Sequence, residues 1–205
     1  MVTATKEKVM KSLTLAVDLD NTSAEYTNGL RHKAGKQLRI NPSKFAEHFP
    51  QVTDYAMWRN NWTGMTTQQE FYDLHSQAVE DGLFEDLIPY EGVSETLWEF
   101  HEQGHFIRIV TARFLKPGDR YKVMETTSKF LDKHNFPVDD IAFTERKVEV
   151  MADVYIDDSP GNIAKLTAAG RTVIIYNQKY NEGIEGLRAY NWADVKRLVN
   201  EIATA

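Results

Sequence analysis

The chain alternates short apolar runs with longer segments whose apolar residues recur at helical spacing. The run LTLAV at residues 13–17 stops abruptly at Asp18, which predicts a strand buried on both faces rather than an amphipathic one. Comparable short runs predict further strands at residues 106–110, 141–143, 154–156 and 172–176.

Helical segments lie between these strands, and Gly104 and Gly170 stand where two of them end. The apolar spacing predicts helices at residues 93–103, 120–134 and 162–169, and a last one containing Trp192 and Ile202. Strands that alternate with helices of this length imply right-handed crossovers and a mostly parallel sheet covered on both faces. The sequence therefore predicts an α/β, Rossmann-like core of three layers.

Residues 22–87 interrupt this alternation. Thr67 and Glu70 have the spacing of a capping box at the start of a helix, and Asn41-Pro42 is typical of another helix start. Apolar residues recur at helical offsets on either side, at Tyr26, Leu30, Leu38, Phe71, Leu74 and Ala78. We expect residues 22–87 to form a small helical cap inserted after the first strand, and residues 1–21 and 88–205 to form the core.

Composition and charge limit the classes of molecule that the protein could bind. With 30 acidic and 24 basic residues among 205, the formal net charge is −6, the wrong sign for holding long nucleic acid, whereas a small anion needs only local donors. The chain has no cysteine, which excludes a thiol nucleophile and a thiolate zinc site. No apolar run approaches the length of a membrane span. We expect a cytoplasmic protein without a membrane partner and leave its oligomeric state open.

Candidate chemistry gathers where the predicted strands end. Ligands of open α/β sheets sit at the carboxyl ends of the strands, and this sequence places acidic, hydroxyl and basic residues there: Asp18, Asp20, Thr111, Arg113, Lys147, Asp157 and Asp158. Four carboxylates at one sheet edge would repel each other unless a cation lay between them, and a hard divalent ion such as Mg²⁺ meets that need. The set suits phosphoryl transfer.

These motifs resemble those of the haloacid dehalogenase (HAD) superfamily of phosphatases. The sequence DLDNT at residues 18–22 is similar to the first motif of that superfamily, Thr111 to the second, Lys147 to the third and Asp157-Asp158 to the acidic fourth. The resemblance covers the whole chain, because the order of the motifs, their strand placement and the gap that leaves room for a cap all fit.

Within the superfamily the chain looks most like the 5'(3')-deoxyribonucleotidase branch and its bacterial relatives. The sequence TERK at residues 144–147, followed by DVYIDD at residues 153–158, is typical of that branch. The pair Tyr180-Asn181 is similar to one that recurs in the bacterial members.

The resemblance implies a role for each acid. Asp18 would take the phosphoryl group as an aspartyl phosphate, and Asp20 would protonate the leaving alcohol and then deprotonate the attacking water. Asp18 and Asp158 would bind Mg²⁺ through their carboxylates and Asp20 through its backbone carbonyl, with Asp157 acting directly or through water.

The resemblance also implies the phosphate-binding groups. Thr111 would donate to a phosphate oxygen, and Lys147 would neutralise the phosphate and keep the nucleophile ionised. Two departures bear on the substrate: Asn21 stands where many members carry glycine, and Ala112-Arg113 replace the small residues expected after the threonine. We place Ala112 and Arg113 in the phosphate-binding set.

Aromatic residues are concentrated in the expected cap. Trp58 and Trp62 lie in the polar stretch MWRNNW, which leaves two interpretations open: they stack the base of a nucleotide, or they form the core of the cap. For Phe71, inside the predicted capped helix, we favour the core.

Together these features predict a Mg²⁺-dependent phosphomonoesterase, a 5'-nucleotidase that hydrolyses (deoxy)nucleoside monophosphates. The alternative enzyme is a HAD phosphatase for a sugar phosphate or another small metabolite. A non-catalytic phosphate-binding protein or a receiver-like signalling domain is a third interpretation, although receiver domains carry their acidic pair on the first strand and have no room for the insertion.

Overall fold

A computed structural model describes residues 10–113 and 120–205. In these residues the chain forms a six-stranded sheet of order β3-β2-β1-β4-β5-β6, and every strand pairing is parallel. The strands are β1 (Thr14–Val17), β2 (Phe106–Thr111), β3 (Asp140–Phe143), β4 (Val154–Asp157), β5 (Thr172–Tyr176) and β6 (Leu187–Ala189). The predicted parallel sheet is confirmed; β6, at its edge, was not predicted.

Seven α-helices are present in the same residues: α1 (Tyr26–Gln37), α2 (Phe45–His48), α3 (Gln68–Glu80), α4 (Val93–Glu102), α5 (Arg120–Lys133), α6 (Pro160–Ala168) and α7 (Trp192–Ala203). Short 3₁₀ turns add Pro42–Lys44, Met57–Asn60, Trp62–Gly64, Lys147–Glu149 and Lys179–Asn181. None of the helices in the described part of the chain has both the length and the apolar composition to cross a membrane.

The two faces of the sheet bury alternate residues of each strand. Leu15 and Val17 of β1 belong to the large apolar cluster that includes residues of α4, α5 and α7, whereas Ala16 belongs to a second cluster with Ile163 and Leu166 of α6. Successive side chains of a strand point to opposite faces, and here both faces are covered. The core is the predicted α/β fold of three layers.

The strand order determines where on the sheet a ligand can bind. After β1 the chain moves to one side of it, through β2 and β3, and then crosses to the other side, to β4, β5 and β6. This reversal opens a crevice at the carboxyl ends of β1 and β4, where ligands of such sheets bind. The residues that follow these two strands therefore share one end of the molecule.

The chain between β1 and α4 is helical in character and leaves the sheet through a narrow connection. Ala24 pairs with Pro89 in an antiparallel bridge, and the backbone N–H of Glu25 donates to the Ile88 carbonyl over 2.8 Å. At the start of α3 the predicted capping box is present. The Thr67 side chain accepts a hydrogen bond from the backbone N–H of Glu70, and the Glu70 side chain accepts one from the backbone N–H of Thr67. The helix start at Asn41-Pro42 leads only to a 3₁₀ turn and the four-residue α2.

Apolar packing is continuous between this segment and the sheet. Leu30 of α1, Phe49 and Trp62 lie in the same buried cluster as Leu15 and Leu19. Burial of apolar surface is the main favourable contribution to folding. The segment is therefore held to the sheet by a shared apolar core as well as by the bridge between Ala24 and Pro89.

Close packing inside this segment gives a first prediction. A Cβ added at Gly35 of α1 would lie 2.3 Å from Cζ and 2.6 Å from Cε1 of the Phe45 ring. We expect Gly35→Ala to lower the free energy of unfolding by about 1–2 kcal/mol, because the clash outweighs the gain in helix propensity. Gly161→Ala is the control, since a Cβ at Gly161 in α6 meets no atom within 4 Å. Urea denaturation measures both, and equal effects would contradict this account.

Candidate active site

Three buried carboxylates meet in the crevice. Asp18 follows β1 directly, Asp157 is the last residue of β4, and Asp158 follows it. All three are buried, and each offers a carboxylate oxygen within 4.8 Å of the others. The topology therefore brings together the first and fourth motifs, which are separated by more than a hundred residues in the sequence.

Lys147 lies among these acids. Its Nζ is 2.5 Å from Oδ1 of Asp18 and 2.8 Å from Oδ2 of Asp157, and the lysine itself is buried. Burial alone lowers the pKa of a lysine, but the charges of Asp157 and Asp18 outweigh it and raise the pKa of Lys147 well above its usual value. The 3₁₀ turn after β3 thus supplies a permanent ammonium to the cluster.

Asp158 is fixed by hydroxyl donors. Thr22 Oγ1 donates to its Oδ1 over 2.9 Å, and the Tyr180 hydroxyl donates to its Oδ2. The Asn181 amide donates to its backbone carbonyl over 2.8 Å, and Asn21 Nδ2 donates to the Tyr180 hydroxyl over 3.1 Å. In the sequence only the family resemblance marks Tyr180-Asn181; in the structure both residues bind Asp158.

The acidic cluster fits a hard divalent cation. Burial raises the pKa of Asp18 to about 6, although Lys147 acts in the opposite direction, and burial also raises the pKa of Asp158 well above its usual range. One ammonium among three buried carboxylates leaves negative charge uncompensated. Oxygen ligands of this kind are those that Mg²⁺ prefers. The carboxylate of Asp20 is not part of the cluster among the described residues.

Asp20 is instead bound by Arg113. The two oxygens of the carboxylate lie 3.1 and 3.0 Å from Arg113 Nε, and Oδ1 lies 2.6 Å from Nη2. Arg113 Nη1 donates to Thr127 Oγ1 over 3.2 Å. From the sequence we expect Arg113 in the phosphate-binding set, and it lines the same cavity as Asp18 and Lys147; in this geometry, however, each nitrogen of its guanidinium has an acceptor within the protein, either Asp20 or Thr127.

Thr111 and Ala112 lie at the carboxyl end of β2. Thr111 ends β2, and its buried hydroxyl has no hydrogen-bond partner among the described residues. A buried polar group without a partner is costly. Both residues line the same cavity as Asp18, Asp20 and Lys147, so that a bound ligand can supply the missing partner.

That cavity has a volume of about 380 Å³. Its charged lining groups follow the carboxyl ends of the strands and are those of Asp18, Asp20, Arg113 and Lys147. The remaining wall is aromatic and comes largely from the helical segment: Tyr26, Tyr55, Trp58, Phe71, Tyr72 and Phe84. The cavity thus combines charged groups with a largely aromatic wall.

The two tryptophans have different surroundings. Trp58 is partly buried and lines the cavity, with the Arg59 guanidinium 4.9 Å from the centre of its ring. Trp62 is fully buried, packs edge-on against Phe49 and donates its indole N–H to the Pro50 carbonyl over 2.9 Å. The prediction that Trp62 stacks a base is wrong, because its ring lies in the apolar core. Phe71 packs against that core and also lines the cavity.

The fold is that of the HAD-like hydrolases. Over 91% of this chain and 98% of the other, it superposes with a TM-score of 0.59 on a hydrolase of the haloacid dehalogenase-like family from Streptococcus pneumoniae, with 12% sequence identity. The chain belongs to the family described as 5' nucleotidase, deoxy (pyrimidine), cytosolic type C protein, whose model matches residues 11–204. It is therefore a phosphoric monoester hydrolase.

Two curated relatives agree with this family. A candidate 5'(3')-deoxyribonucleotidase from Chlorobaculum tepidum is 29% identical over 194 residues, which cover 94% of this chain and 93% of the relative. A candidate nucleotidase from Oceanobacillus iheyensis is 30% identical over 137 residues, 62% of this chain and 70% of the relative. The resemblance drawn from the sequence motifs is confirmed.

The surroundings of the tryptophans predict unequal effects on stability. We expect Trp62→Ala to lower the free energy of unfolding by about 3–5 kcal/mol, because it empties a buried site. For Trp58→Ala the expected loss is about 1 kcal/mol or less, since the ring is partly solvated. Denaturant unfolding followed by circular dichroism measures the difference, and a loss at Trp58 as large as at Trp62 would contradict the placement of the two rings.

Proposed function

We propose that this protein is a Mg²⁺-dependent nucleotidase that hydrolyses (deoxy)nucleoside 5'-monophosphates to nucleoside and phosphate, with residues 22–87 acting as the substrate-selecting cap. The observation that carries the proposal is a cavity lined by both charged and aromatic side chains. Its charged groups suit a phosphate ester, and its aromatic wall suits a planar base. The printed names of the family and of the Chlorobaculum tepidum relative support the same class of substrate.

In the proposed reaction, Asp18 attacks the phosphorus. A bond forms between its carboxylate oxygen and phosphorus while the bond from phosphorus to the ester oxygen breaks, and Asp20 gives a proton to that leaving oxygen. Lys147 and Thr111 hold the phosphate oxygens, together with the backbone N–H of Ala112. Mg²⁺, held by the carboxylates of the cluster and the backbone carbonyl of Asp20, would neutralise charge on the phosphate when bound.

The second half of the cycle releases phosphate. Asp20 takes a proton from a water molecule, the oxygen of that water attacks phosphorus, and the bond between phosphorus and Asp18 breaks, which restores the carboxylate. The ammonium of Lys147, 2.5 Å from Asp18 Oδ1, favours that carboxylate as the leaving group. Asp18 and Asp20 therefore carry the chemistry, and the other charged groups position and neutralise the phosphate.

On the aromatic wall, Trp58 stacks the base. Its ring lines the cavity together with Tyr55 and Tyr72. The groups that handle the phosphate are the same for every phosphomonoester, so that any discrimination between esters must come from this wall.

A substrate screen tests the reaction. We expect release of phosphate from dNMPs or NMPs with Mg²⁺, none with excess chelator, and weaker release from sugar phosphates. Asp18→Asn should reduce release to background while the protein stays folded, because an amide cannot form the acyl phosphate. Asp73→Asn, on the exposed side of α3, is the matched control and should be fully active. Preference for a sugar phosphate would support the alternative substrate, and full activity with chelator would contradict the mechanism.

The role of Trp58 gives a second test. Stacking of a base on an aromatic ring is worth about 1–3 kcal/mol, so that Trp58→Ala should raise KM for a nucleotide roughly ten- to a hundredfold. KM for p-nitrophenyl phosphate, which carries no base, should change much less. Trp98→Ala is the control, because Trp98 is an exposed tryptophan of α4 that does not line the cavity. Proportional losses on both substrates would contradict base stacking.

A further inference from the structure

The side chain of Arg113 is committed to Asp20. Two of its guanidinium nitrogens, Nε and Nη2, face the carboxylate at distances of 2.6–3.1 Å, and the third, Nη1, donates to Thr127 Oγ1. A planar guanidinium that uses its fork on a carboxylate fixes the orientation of that carboxylate.

Aromatic packing holds the guanidinium in turn. Its central carbon lies 4.4 Å from the ring centre of Phe84 and 5.9 Å from that of Phe130. The Arg113 side chain has no exposed surface, whereas the side chain of Asp20 is 25% exposed. The Asp20 carboxylate is therefore held by a buried cation, and the exposed part of its side chain lies at the cavity.

We propose that Arg113 is a positioning residue for Asp20, which orients that carboxyl group for proton transfer at the ester oxygen and does not bind the phosphate of the substrate. This role rests on the proposed function. Proton transfer needs a carboxyl oxygen within hydrogen-bond reach of the leaving oxygen, and a misplacement of about 1 Å can cost a hundredfold in rate. Unlike an unrestrained aspartate, Asp20 is confined to one orientation by the fork.

Movement of Arg113 to a phosphate would be costly. It would leave the carboxylate of Asp20 without its cation and Thr127 Oγ1 without its donor, in a region where Thr127 is fully buried. The cavity already presents to a phosphate a second cation, Lys147, and the Thr111 hydroxyl, which has no partner within residues 10–113 and 120–205. The geometry therefore favours action on the acid rather than on the phosphate.

Substrates with different leaving groups distinguish a role of Arg113 in orienting Asp20 from a role in binding phosphate. An alkyl ester such as dTMP needs a proton on its leaving oxygen, whereas p-nitrophenolate leaves without one. We expect Asp20→Asn to lower kcat/KM for dTMP by on the order of a hundredfold or more. Arg113→Lys should lower it by roughly ten- to a hundredfold, with less than about a threefold change for p-nitrophenyl phosphate, since kcat/KM reports the step in which the ester bond breaks. The inhibition constant of inorganic phosphate should stay within about twofold.

Matched variants keep the test independent of folding. Arg108→Lys is the control, because Arg108 forms a similar fork with Asp140 and neither residue lines the cavity. Thr127→Val keeps the size of the side chain and removes only the acceptor for Arg113 Nη1. It should shift the dTMP to p-nitrophenyl phosphate ratio in the same direction as Arg113→Lys, by about two- to tenfold. In an Asp20→Asn background, Arg113→Lys should add less than about twofold, because no carboxylate is left to orient.

Other outcomes overturn the proposal. Equal losses on both esters, or additive losses in the double variant, would make Arg113 merely structural, and a tenfold weaker inhibition by phosphate would make it a phosphate ligand. If Asp20→Asn is impaired on dTMP while Arg113→Lys and Thr127→Val behave as wild type, only the role of Arg113 fails. If the wild-type protein hydrolyses neither ester with Mg²⁺, the proposed function fails and the role of Arg113 fails with it.

Discussion

The structure depends on one electrostatic constraint, the burial of Asp18, Asp157 and Asp158 at one edge of a parallel sheet. Three carboxylates out of contact with water would repel one another strongly, and the ammonium of Lys147 compensates only part of that charge. Because Lys147 must reach these acids, its buried position fixes the path of the chain after β3. The hydroxyls of Thr22 and Tyr180 fix the last acid in the same way.

Much of the fold could be predicted because parallel strands that are buried on both faces have nearly continuous apolar sequences. The strand β6 lacks that signal. It has three residues, Leu187 is exposed, and Arg188 turns back to donate to the backbone carbonyls of Asn181 and Ile184. Its conformation comes from pairing with β5 rather than from its own sequence, so that only tertiary structure could reveal it.

The acids of the site could be placed from the sequence because topology alone brings the carboxyl ends of β1 and β4 together. Contacts between distant segments could not be placed. Trp58 and Trp62 have similar polar neighbours, and only the packing of Phe49 and Pro50 decides which ring is buried. Likewise, nothing near Arg113 in the sequence indicates that its partner is Asp20 rather than a phosphate.

The narrow connection at Ala24 and Pro89 has a consequence for how such a protein can diversify. The two connecting stretches of chain are hydrogen-bonded to each other, so that the ends of the intervening segment stay together whatever its length. Lengthening a closed loop costs little, about 0.6 kcal/mol for each doubling. Ancestral chains could therefore have exchanged or enlarged this segment, and with it the shape of the aromatic wall, while the spacing of the acids stayed fixed. Recognition and chemistry can evolve at different speeds in one short polypeptide.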